Sequence, residues 1–272
     1  MIPAEALTTL ERAATWSAAL SVFVLLVLEA AIPRTAEAPS GNEKIRHATR
    51  NALLWACGVV LGWILIGSMP GSAHWWPAVS AHGLGLWLPL SAQLVVAVLV
   101  IDLTEYLRHR VFHFVRPLWL VHIVHHSDQE VDVTTGLRFH PLEMVFIYSF
   151  QLALLVVLGL PAWAVAVRGL LQAPISALQH AAIPLPARLE AVAGWFIVTP
   201  AMHRVHHSRL LPETDSNYGE MFSCWDRLFG TYTPPLQASG GAMGLHALTA
   251  DSWQTTRGML ITPIRARSIA LF

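Results

Sequence analysis

The chain has 272 residues, with 17 Lys and Arg balanced by 17 Asp and Glu, so its formal net charge is zero. Apolar residues make up 54% of it and charged residues only 12%, with a mean hydropathy of +0.51, which is more apolar than a soluble domain of this length usually is. No basic patch with interleaved aromatic residues indicates nucleic-acid binding. Cys57 and Cys224 are too few and too separated for a disulfide framework or a thiolate metal site. Composition therefore predicts a membrane protein.

Three apolar runs predict membrane-spanning helices. Residues 16–32 are apolar except for Glu29, residues 52–69 carry no charge, and residues 84–101 are apolar up to Asp102. Each run is close to the roughly 20 residues that cross a bilayer as a helix. The third run continues without a break into EYLRHRVFH, so we expect its helix to extend beyond the membrane with the first histidine pair.

A fourth apolar region, residues 144–177, predicts a hairpin around Pro161. Its two arms are short, so the depth of insertion stays open, and Arg168 in the second arm favours a shallow or protein-packed position. The first apolar run lacks a basic flank and a clear cleavage site, which predicts a retained anchor rather than a signal peptide. The amphipathic stretch 187–198 is expected at the membrane surface. We expect residues 1–272 to form a single all-α membrane bundle with a histidine-rich helical cap.

The distribution of positive charge predicts the orientation, because short cytoplasmic loops are enriched in Lys and Arg. Such residues lie between the first two runs and in the histidine stretch, whereas residues 70–83 have none. The N-terminus is therefore predicted to face outward. The histidine cap and the C-terminal segment are predicted to lie on the cytoplasmic face, in a bacterial inner membrane or in the endoplasmic reticulum.

Ten of the fourteen histidines fall between His109 and His207, and eight of them form three tight groups, HRVFH, HIVHH and HRVHH. Residues three or four apart share one face of a helix, so each group is predicted to aim two or three imidazoles at one point. Imidazole binds iron, zinc, copper and nickel. One structural zinc needs about four ligands, so ten candidates predict two ions. The ten candidates are His109, His113, His122, His125, His126, His140, His180, His203, His206 and His207.

The order of these motifs resembles the fatty acid hydroxylase superfamily, which includes sterol desaturases and C4-methyl sterol oxidases. The similar segments are DLTEYLRHRVFH, LWLVHIVHHSD, TGLRFHPLE, LQH, HRVHHS and DSNYGEMFSCWDRLFGTY, within about residues 100–233. The resemblance implies a non-haem di-iron enzyme that hydroxylates or desaturates a lipid with dioxygen, with the ten histidines as ligands. It also implies a separate electron donor, a ferredoxin or a cytochrome b5-like protein with its reductase, because the HPGG haem loop of members with a fused cytochrome b5 domain is missing.

Carboxylates near the histidines are candidates for orienting the imidazole rings, because a bound imidazole needs an acceptor for its other nitrogen. Asp102 and Glu143, next to apolar helices, are the favoured candidates. Asn217 and Tyr218 are predicted either to hydrogen-bond the ligands or to shape a turn. A site at the membrane face implies a lipid substrate reached through an apolar channel, but the sequence does not select which lipid, or hydroxylation over desaturation.

Three other classes of protein fit the sequence less well. A zinc hydrolase would need a general base, but HRVFH has Arg110 where the HExxH motif has glutamate. A bis-histidine haem carrier would place single histidines within facing spans. A metal transporter or sensor would carry ionisable residues through its spans. A homologue loaded with zinc instead of iron stays possible, because nitrogen ligands bind zinc tightly.

Overall fold

The computed structural model describes residues 4–32, 41–66, 88–160, 162–235 and 242–270. Within these ranges the chain forms α-helices and short 3-10 turns. No β-strand occurs in the described residues, where the extended pairings are two isolated bridges, Ile197 with Phe222 and Ser208 with Met243. The predicted all-α class is confirmed.

In the described parts of the chain, six longer helices carry the architecture and six shorter ones complete it. The longer helices are α1 (Ala4–Ala31), α2 (Gly41–Ile66), α3 (Leu90–Phe114), α4 (Arg116–His126), α5 (Pro141–Leu158) and α6 (Ala162–His180). The shorter helices are α7 (Ala187–Ala193), α8 (Pro200–His206), α9 (Leu211–Thr214), α10 (Cys224–Leu228), α11 (Asp251–Gln254) and α12 (Thr256–Arg265). Turns of 3-10 helix lie at Val133–Leu137, His246–Leu248 and Ala266–Ser268.

Three segments are long and apolar enough to cross a membrane, namely Glu5–Ala31, Gly41–Leu65 and Pro141–Leu158. Large apolar side chains on them point away from the protein, such as Trp16 at 72% exposure and Ile64 at 67%. Exposed apolar surface on this scale suits lipid rather than water. The protein is therefore a membrane protein, as its composition predicts.

Two of these three candidates among the described residues overlap the runs predicted at 16–32 and 52–69, although α1 and α2 both begin earlier than the apolar runs do. The third candidate lies in the predicted hairpin, and α3, which holds the described part of the run predicted at 84–101, is not among them. Residues 67–69 lie outside the described residues, as do residues 84–87 at the start of the third predicted run. From Leu90 that helix continues unbroken to Phe114, so its predicted extension through the first histidine pair is confirmed.

The two arms of the predicted hairpin differ in whether they are apolar enough to span a membrane. Helix α5 has the composition of a span, whereas α6 is not among the three candidates, and Pro161 between them lies outside the described residues. Arg168 on α6 is buried and donates a hydrogen bond to the carboxylate of Glu105 on α3. This contact confirms the protein-packed alternative for Arg168; the depth of the hairpin stays a prediction.

The long helices pack in pairs, α1 along α6 and α2 along α5, while α3 contacts both α4 and α6. Gly58 and Gly62 lie where α2 crosses α5. A side chain at Gly58 would overlap Met144, and a Cβ at Gly62 would lie 3.1 Å from the ring of Tyr148. Small residues one turn apart thus allow the two helices to approach closely, as is common between membrane helices.

The C-terminal segment covers α4. Trp119 and Ile123 of α4 pack with Leu245, Leu248 and Trp253 in one buried apolar cluster. Sequence reasoning assigned no role to the chain after Gly240. The structure shows that its described part, residues 242–270, packs against α4, the helix that carries HIVHH.

The region around α7 supports the expectation that residues 187–198 lie at the membrane surface. Trp195 and Phe196 are 67% and 68% exposed, and the carbonyl of Phe196 accepts a hydrogen bond from the amide of Ser223. The amide of Phe222 in turn donates to Asp102, the residue that directly follows the third predicted span. These bonds hold the exposed aromatic pair near the end of that span; contact with lipid stays a prediction.

Candidate metal centre

Nine of the ten predicted histidines meet in two clusters, in each of which the candidate ligand atoms lie within 4.8 Å of one another. The first cluster comprises His109, His113, His122, His126 and His206. The second comprises His125, His180, His203 and His207. Two clusters agree with the number of ions predicted from the ligand count.

Each HxxHH group is divided between the clusters, which differs from the prediction that a group points at one site. His122 and His126, four residues apart on α4, enter the first cluster, and the intervening His125 enters the second. In HRVHH the division is reversed, because His203 and His207 enter the second cluster while His206 enters the first. Neighbouring residues on a helix differ by about 100° in direction, so consecutive histidines cannot share a site. The two clusters lie side by side as a result.

Hydrogen bonds at Nδ1 fix the orientation of four of the five rings in the first cluster. Nδ1 of His109 donates to the carbonyl of Tyr218 at 3.0 Å, and Nδ1 of His206 donates to the carbonyl of Ser216 at 2.8 Å. Nδ1 of His122 lies 2.6 Å from Glu143, and Nδ1 of His113 lies 3.0 Å from Asp215. The other nitrogen, Nε2, is therefore the free atom on each of these rings.

The contact between His109 and His206 tests whether these residues fit a metal. Both rings use their single proton at Nδ1, because a backbone carbonyl can only accept. Their Nε2 atoms nevertheless lie 3.0 Å apart, so two lone pairs face each other in the protein interior. A cation bound by both nitrogens resolves this repulsion, and the donor set therefore fits a metal ion.

In the second cluster the Nε2 atoms also converge. Nδ1 of His180 donates to the carbonyl of Ser176, and its Nε2 lies 2.9 Å from Nε2 of His203 and 3.3 Å from Nε2 of His125. Nε2 of His203 also lies 3.2 Å from that of His207. In this cluster three rings, those of His125, His203 and His207, have a buried Nδ1 without a hydrogen-bond partner. Four nitrogens that converge in this way fit a second ion.

Burial lowers the pKa of every ring in both clusters, and neighbouring histidines lower it further for every ring except that of His180. Burial is the larger cause throughout, and it lowers the pKa of His180 and of His206 to about 4. The pKa values of His109 and His203 lie well below the usual range for the same reason. At neutral pH the rings are therefore uncharged, which is the form that binds metal.

His140 is the one predicted ligand that the structure does not bring into either cluster. Its Nε2 hydrogen-bonds the carbonyl of Leu260 at 3.1 Å, and its Nδ1 accepts from the amide of Leu142 at 3.2 Å. Both nitrogens are thus engaged with the backbone. The contact to Leu260 joins the start of α5 to the C-terminal helix α12, a role that the RFHP motif did not indicate. This geometry argues against ligation by His140.

The carboxylates favoured in the sequence analysis divide between two roles. Glu143 contacts a cluster histidine, His122, as expected. Asp102 contacts none: it accepts from the amides of Met221 and Phe222 and from the indole of Trp225, and so holds the loop after Tyr218 against α3. Asp102 thus supports the site through the backbone of this loop.

Asn217 and Tyr218 form the turn that supplies carbonyls to the cluster. Asn217 has φ of +52°, a left-handed conformation that asparagine tolerates, and its side chain bonds the backbone of Met202 and Thr233. Asp226 accepts from the amides of Tyr218 and Gly219. Of the two roles left open, the turn applies to the side chain of Asn217. The carbonyl of Tyr218 accepts from His109, and its ring lies edge-on to the rings of His109, His113 and His206, with centroids 5.7, 5.0 and 5.6 Å apart.

His47 was predicted to lie outside the site, and it belongs to neither cluster. In the structure His47 contacts the residues that follow α4, a position that no sequence motif indicated. Its Nε2 lies 2.9 Å from both carboxylate oxygens of Asp128, which follows the HIVHH group, and its Nδ1 lies 3.3 Å from Asp132. Thr135 also donates to Asp128. Helix α2 is thereby tied to the end of the ligand-bearing helix α4.

A helical membrane protein with two adjacent buried histidine clusters is the class that this fold and site define. The family model described as fatty acid hydroxylase matches residues 94–231, which is about half of the chain and includes all nine clustered histidines. The chain belongs to the fatty acid hydroxylase family.

Curated relatives carry names of lipid-oxidising enzymes. Ornithine lipid hydroxylase OlsE of Rhizobium tropici is 30% identical over 66% of this chain and 51% of its own length. Alkylglycerol monooxygenase of Xenopus tropicalis is 32% identical over 49% of this chain and 29% of its own. Sphinganine C4-monooxygenase 2 of Arabidopsis thaliana is 31% identical over 57% and 60%. The chain thus spans about half the length of the first of these relatives. No solved structure matches the chain.

Replacement of a cluster histidine is expected to remove metal. His125→Ala and His206→Ala, one from each cluster, should lower bound metal by about one ion per chain and abolish turnover, because each removes a nitrogen that no neighbour replaces. His140→Ala is the matched control and should keep its metal. Metal content of the purified variants, measured by plasma mass spectrometry, checks this. Full metal in both cluster variants, or its loss in His140→Ala, would contradict the assignment.

Replacement of His47 is expected to weaken the protein without removing a ligand. His47→Ala leaves the carboxylate of Asp128, 2% exposed, without the imidazole that contacts both of its oxygens and should lower the free energy of unfolding by about 3 kcal/mol. His47→Gln should preserve most of the stability, because its amide nitrogen can take the place of Nε2. Thermal unfolding in detergent compares the two. Identical midpoints of thermal unfolding for the two variants would contradict the stabilising role of the contact between His47 and Asp128.

Proposed function

We propose that this protein is a membrane-bound di-iron oxygenase that hydroxylates, or desaturates, a lipid. The observation that carries the proposal is the pair of adjacent clusters, in the first of which the unprotonated Nε2 atoms of His109 and His206 lie 3.0 Å apart. Membership of the fatty acid hydroxylase family and the names of the relatives support it. We propose the nine clustered histidines as the ligands and leave His140 out.

Iron is the metal we propose, since unactivated C–H bonds require a redox metal that can activate dioxygen. Imidazole nitrogens also bind zinc tightly, so we expect zinc to replace iron in protein prepared without added iron. Zinc would supply no redox chemistry. The protein's own contribution is to hold neutral imidazoles in place in its interior, five of them through hydrogen-bond partners at Nδ1.

The overall hydroxylation consumes one lipid C–H bond, one molecule of dioxygen, two electrons and two protons. One oxygen atom enters the lipid as a hydroxyl group, and the other leaves as water. Desaturation would remove two hydrogen atoms from adjacent carbons and release both oxygens as water. The two electrons must come from a separate donor, for which we propose a ferredoxin or a cytochrome b5-like protein with its reductase.

We propose a multi-pass arrangement with the histidine clusters at the cytoplasmic face. The predicted third span ends at Ile101, and His109 follows it by two turns of α3, so the first cluster lies just beyond the hydrocarbon region. A soluble electron donor would reach the clusters from this side. The lipid substrate would enter from the bilayer.

The test of this proposal is oxygen incorporation in cells. Cells expressing the chain with added iron are grown under ¹⁸O₂ and compared with cells expressing His206→Ala, and lipid extracts are analysed by mass spectrometry. We expect lipids heavier by one ¹⁸O atom only with the unaltered chain, or species lighter by two hydrogens if the outcome is desaturation. Identical lipid profiles in the two strains would contradict the proposal.

A further inference from the structure

The C-terminal helix α12 has an apolar face that the described part of the protein leaves uncovered. Leu260 and Ile264, one turn apart, are 37% and 69% exposed, whereas Met259 and Thr262 on the other side of the helix are buried. Two exposed apolar residues would be ordinary on a soluble protein. What they indicate therefore depends on where α12 lies relative to the membrane.

Contacts place α12 where two membrane spans begin. The carbonyl of Leu260 accepts a hydrogen bond from Nε2 of His140, the residue directly before the candidate span Pro141–Leu158. On its buried side, Met259 packs in one apolar cluster with Leu54, near the start of the apolar run of α2. Helix α12 thus lies beside the ends at which α2 and α5 enter the bilayer.

The same ends of both spans carry exposed apolar side chains. Leu53 of α2 is 48% exposed, and Leu142 of α5 is 45% exposed. Leu53 adjoins Leu54 in sequence, and Leu142 follows His140 by two residues, so both lie next to residues that α12 contacts. Because α2 and α5 have the composition of membrane spans, these side chains suit lipid. The exposed face of α12 lies at the same level.

Two arginines flank this apolar face. Arg257 precedes Leu260 by three residues, and Arg267 follows Ile264 by three, so both lie on the side of the helix that bears the apolar pair. Both arginines are exposed, and among the described residues neither guanidinium pairs with a carboxylate. Apolar side chains bordered by cations are typical of a helix that lies in the plane of a membrane.

The charge of the surrounding segment indicates which lipids would contact these arginines. After Asp251 the described chain contains three arginines and no acidic residue. Arg265 is engaged within the protein, with its Cζ 3.7 Å from the ring centroid of Trp253. Arg257 and Arg267 remain to attract anionic groups, and phosphates of anionic lipids lie at the membrane surface.

We propose that α12 lies in the membrane interface, with Leu260 and Ile264 against acyl chains and Arg257 and Arg267 against the phosphates of anionic lipids. An acidic soluble protein would satisfy the same charges, but the level of the apolar pair favours the bilayer. The inference goes beyond the proposed function and does not depend on the reaction. It gives the C-terminal segment, which packs against the ligand-bearing helix α4, an anchor in the membrane.

Fluorescence quenching in nanodiscs of phosphatidylcholine tests the position of α12. Ile264→Cys carries a bimane label in the full-length protein, in which Cys57→Ser and Cys224→Ser remove the native thiols. Asp251→Cys is the matched control, because Asp251 is exposed in the same segment but lines a polar cavity with Arg46. If Ile264→Cys does not fold, Leu260→Cys on the same face replaces it.

Lipids brominated on their acyl chains should quench the label at position 264 at least about threefold more strongly than the label at position 251, and aqueous iodide should show the reverse order. Quenching by iodide that is as strong at position 264 as at position 251 would overturn the proposal. That result would leave the face of α12 open to a soluble partner, such as an acidic electron donor.

The contact with anionic lipid is tested with the same label at position 264. Brominated phosphatidylglycerol should quench it about fivefold more strongly than brominated phosphatidylcholine at equal mole fraction, as expected for the attraction of an anionic lipid by one nearby arginine. Arg257→Gln with Arg267→Gln should bring this ratio close to one, and Arg257→Lys with Arg267→Lys should preserve most of it, because the charges remain.

Equal quenching by the two brominated lipids in the chain with both arginines would overturn the anionic contact, as would an unchanged ratio in the glutamine variant. Neither measurement requires turnover, so both decide on α12 whether or not the protein proves to be an oxygenase.

Discussion

Electrostatic repulsion between uncharged imidazoles is the constraint on which the rest of this structure depends. Nine histidines are buried with their inward nitrogens close together, and at the His109–His206 contact both protons lie on the far side of the rings. Protonation of a ring would relieve the contact, but burial and the neighbouring histidines lower the pKa of both rings, that of His206 to about 4. Metal binding is the remaining way to stabilise the arrangement, so folding and metal binding are expected to be coupled.

The surrounding structure serves to keep these rings oriented. The carbonyls of Ser216 and Tyr218 fix two of them, and Asn217 between them is held in a left-handed conformation by bonds from its side chain. Asp102 and Asp226 hold the same loop through its backbone amides. The motif DSNYGEMFSCWD thus acts mainly through its backbone, which Asp226 within the motif and Asp102 on α3 hold in place, while its Asp215 contacts Nδ1 of His113. Residues of this kind affect metal affinity without touching the ion.

Much of the fold and the site follows from the sequence, and the exceptions have identifiable physical causes. Hydropathy predicted the all-α class, and helical spacing predicted eight of the nine clustered histidines, whereas His180 has no histidine neighbour at helical spacing. The division of HIVHH and HRVHH between two clusters was missed, since it requires the angle between consecutive residues to be considered. His140 was counted among the ten candidates, and its contact with the carbonyl of Leu260 is a tertiary interaction that no local pattern indicates. The supporting bond from His47 to Asp128 spans 81 positions and leaves no local pattern.

The most direct test of the central claim is metal content per chain together with Mössbauer spectra. The protein is purified anaerobically from cells supplied with ⁵⁷Fe. The account predicts two irons per chain that are magnetically coupled, because the clusters lie side by side and share the helices α4 and α8. One metal per chain, or haem iron, would contradict it.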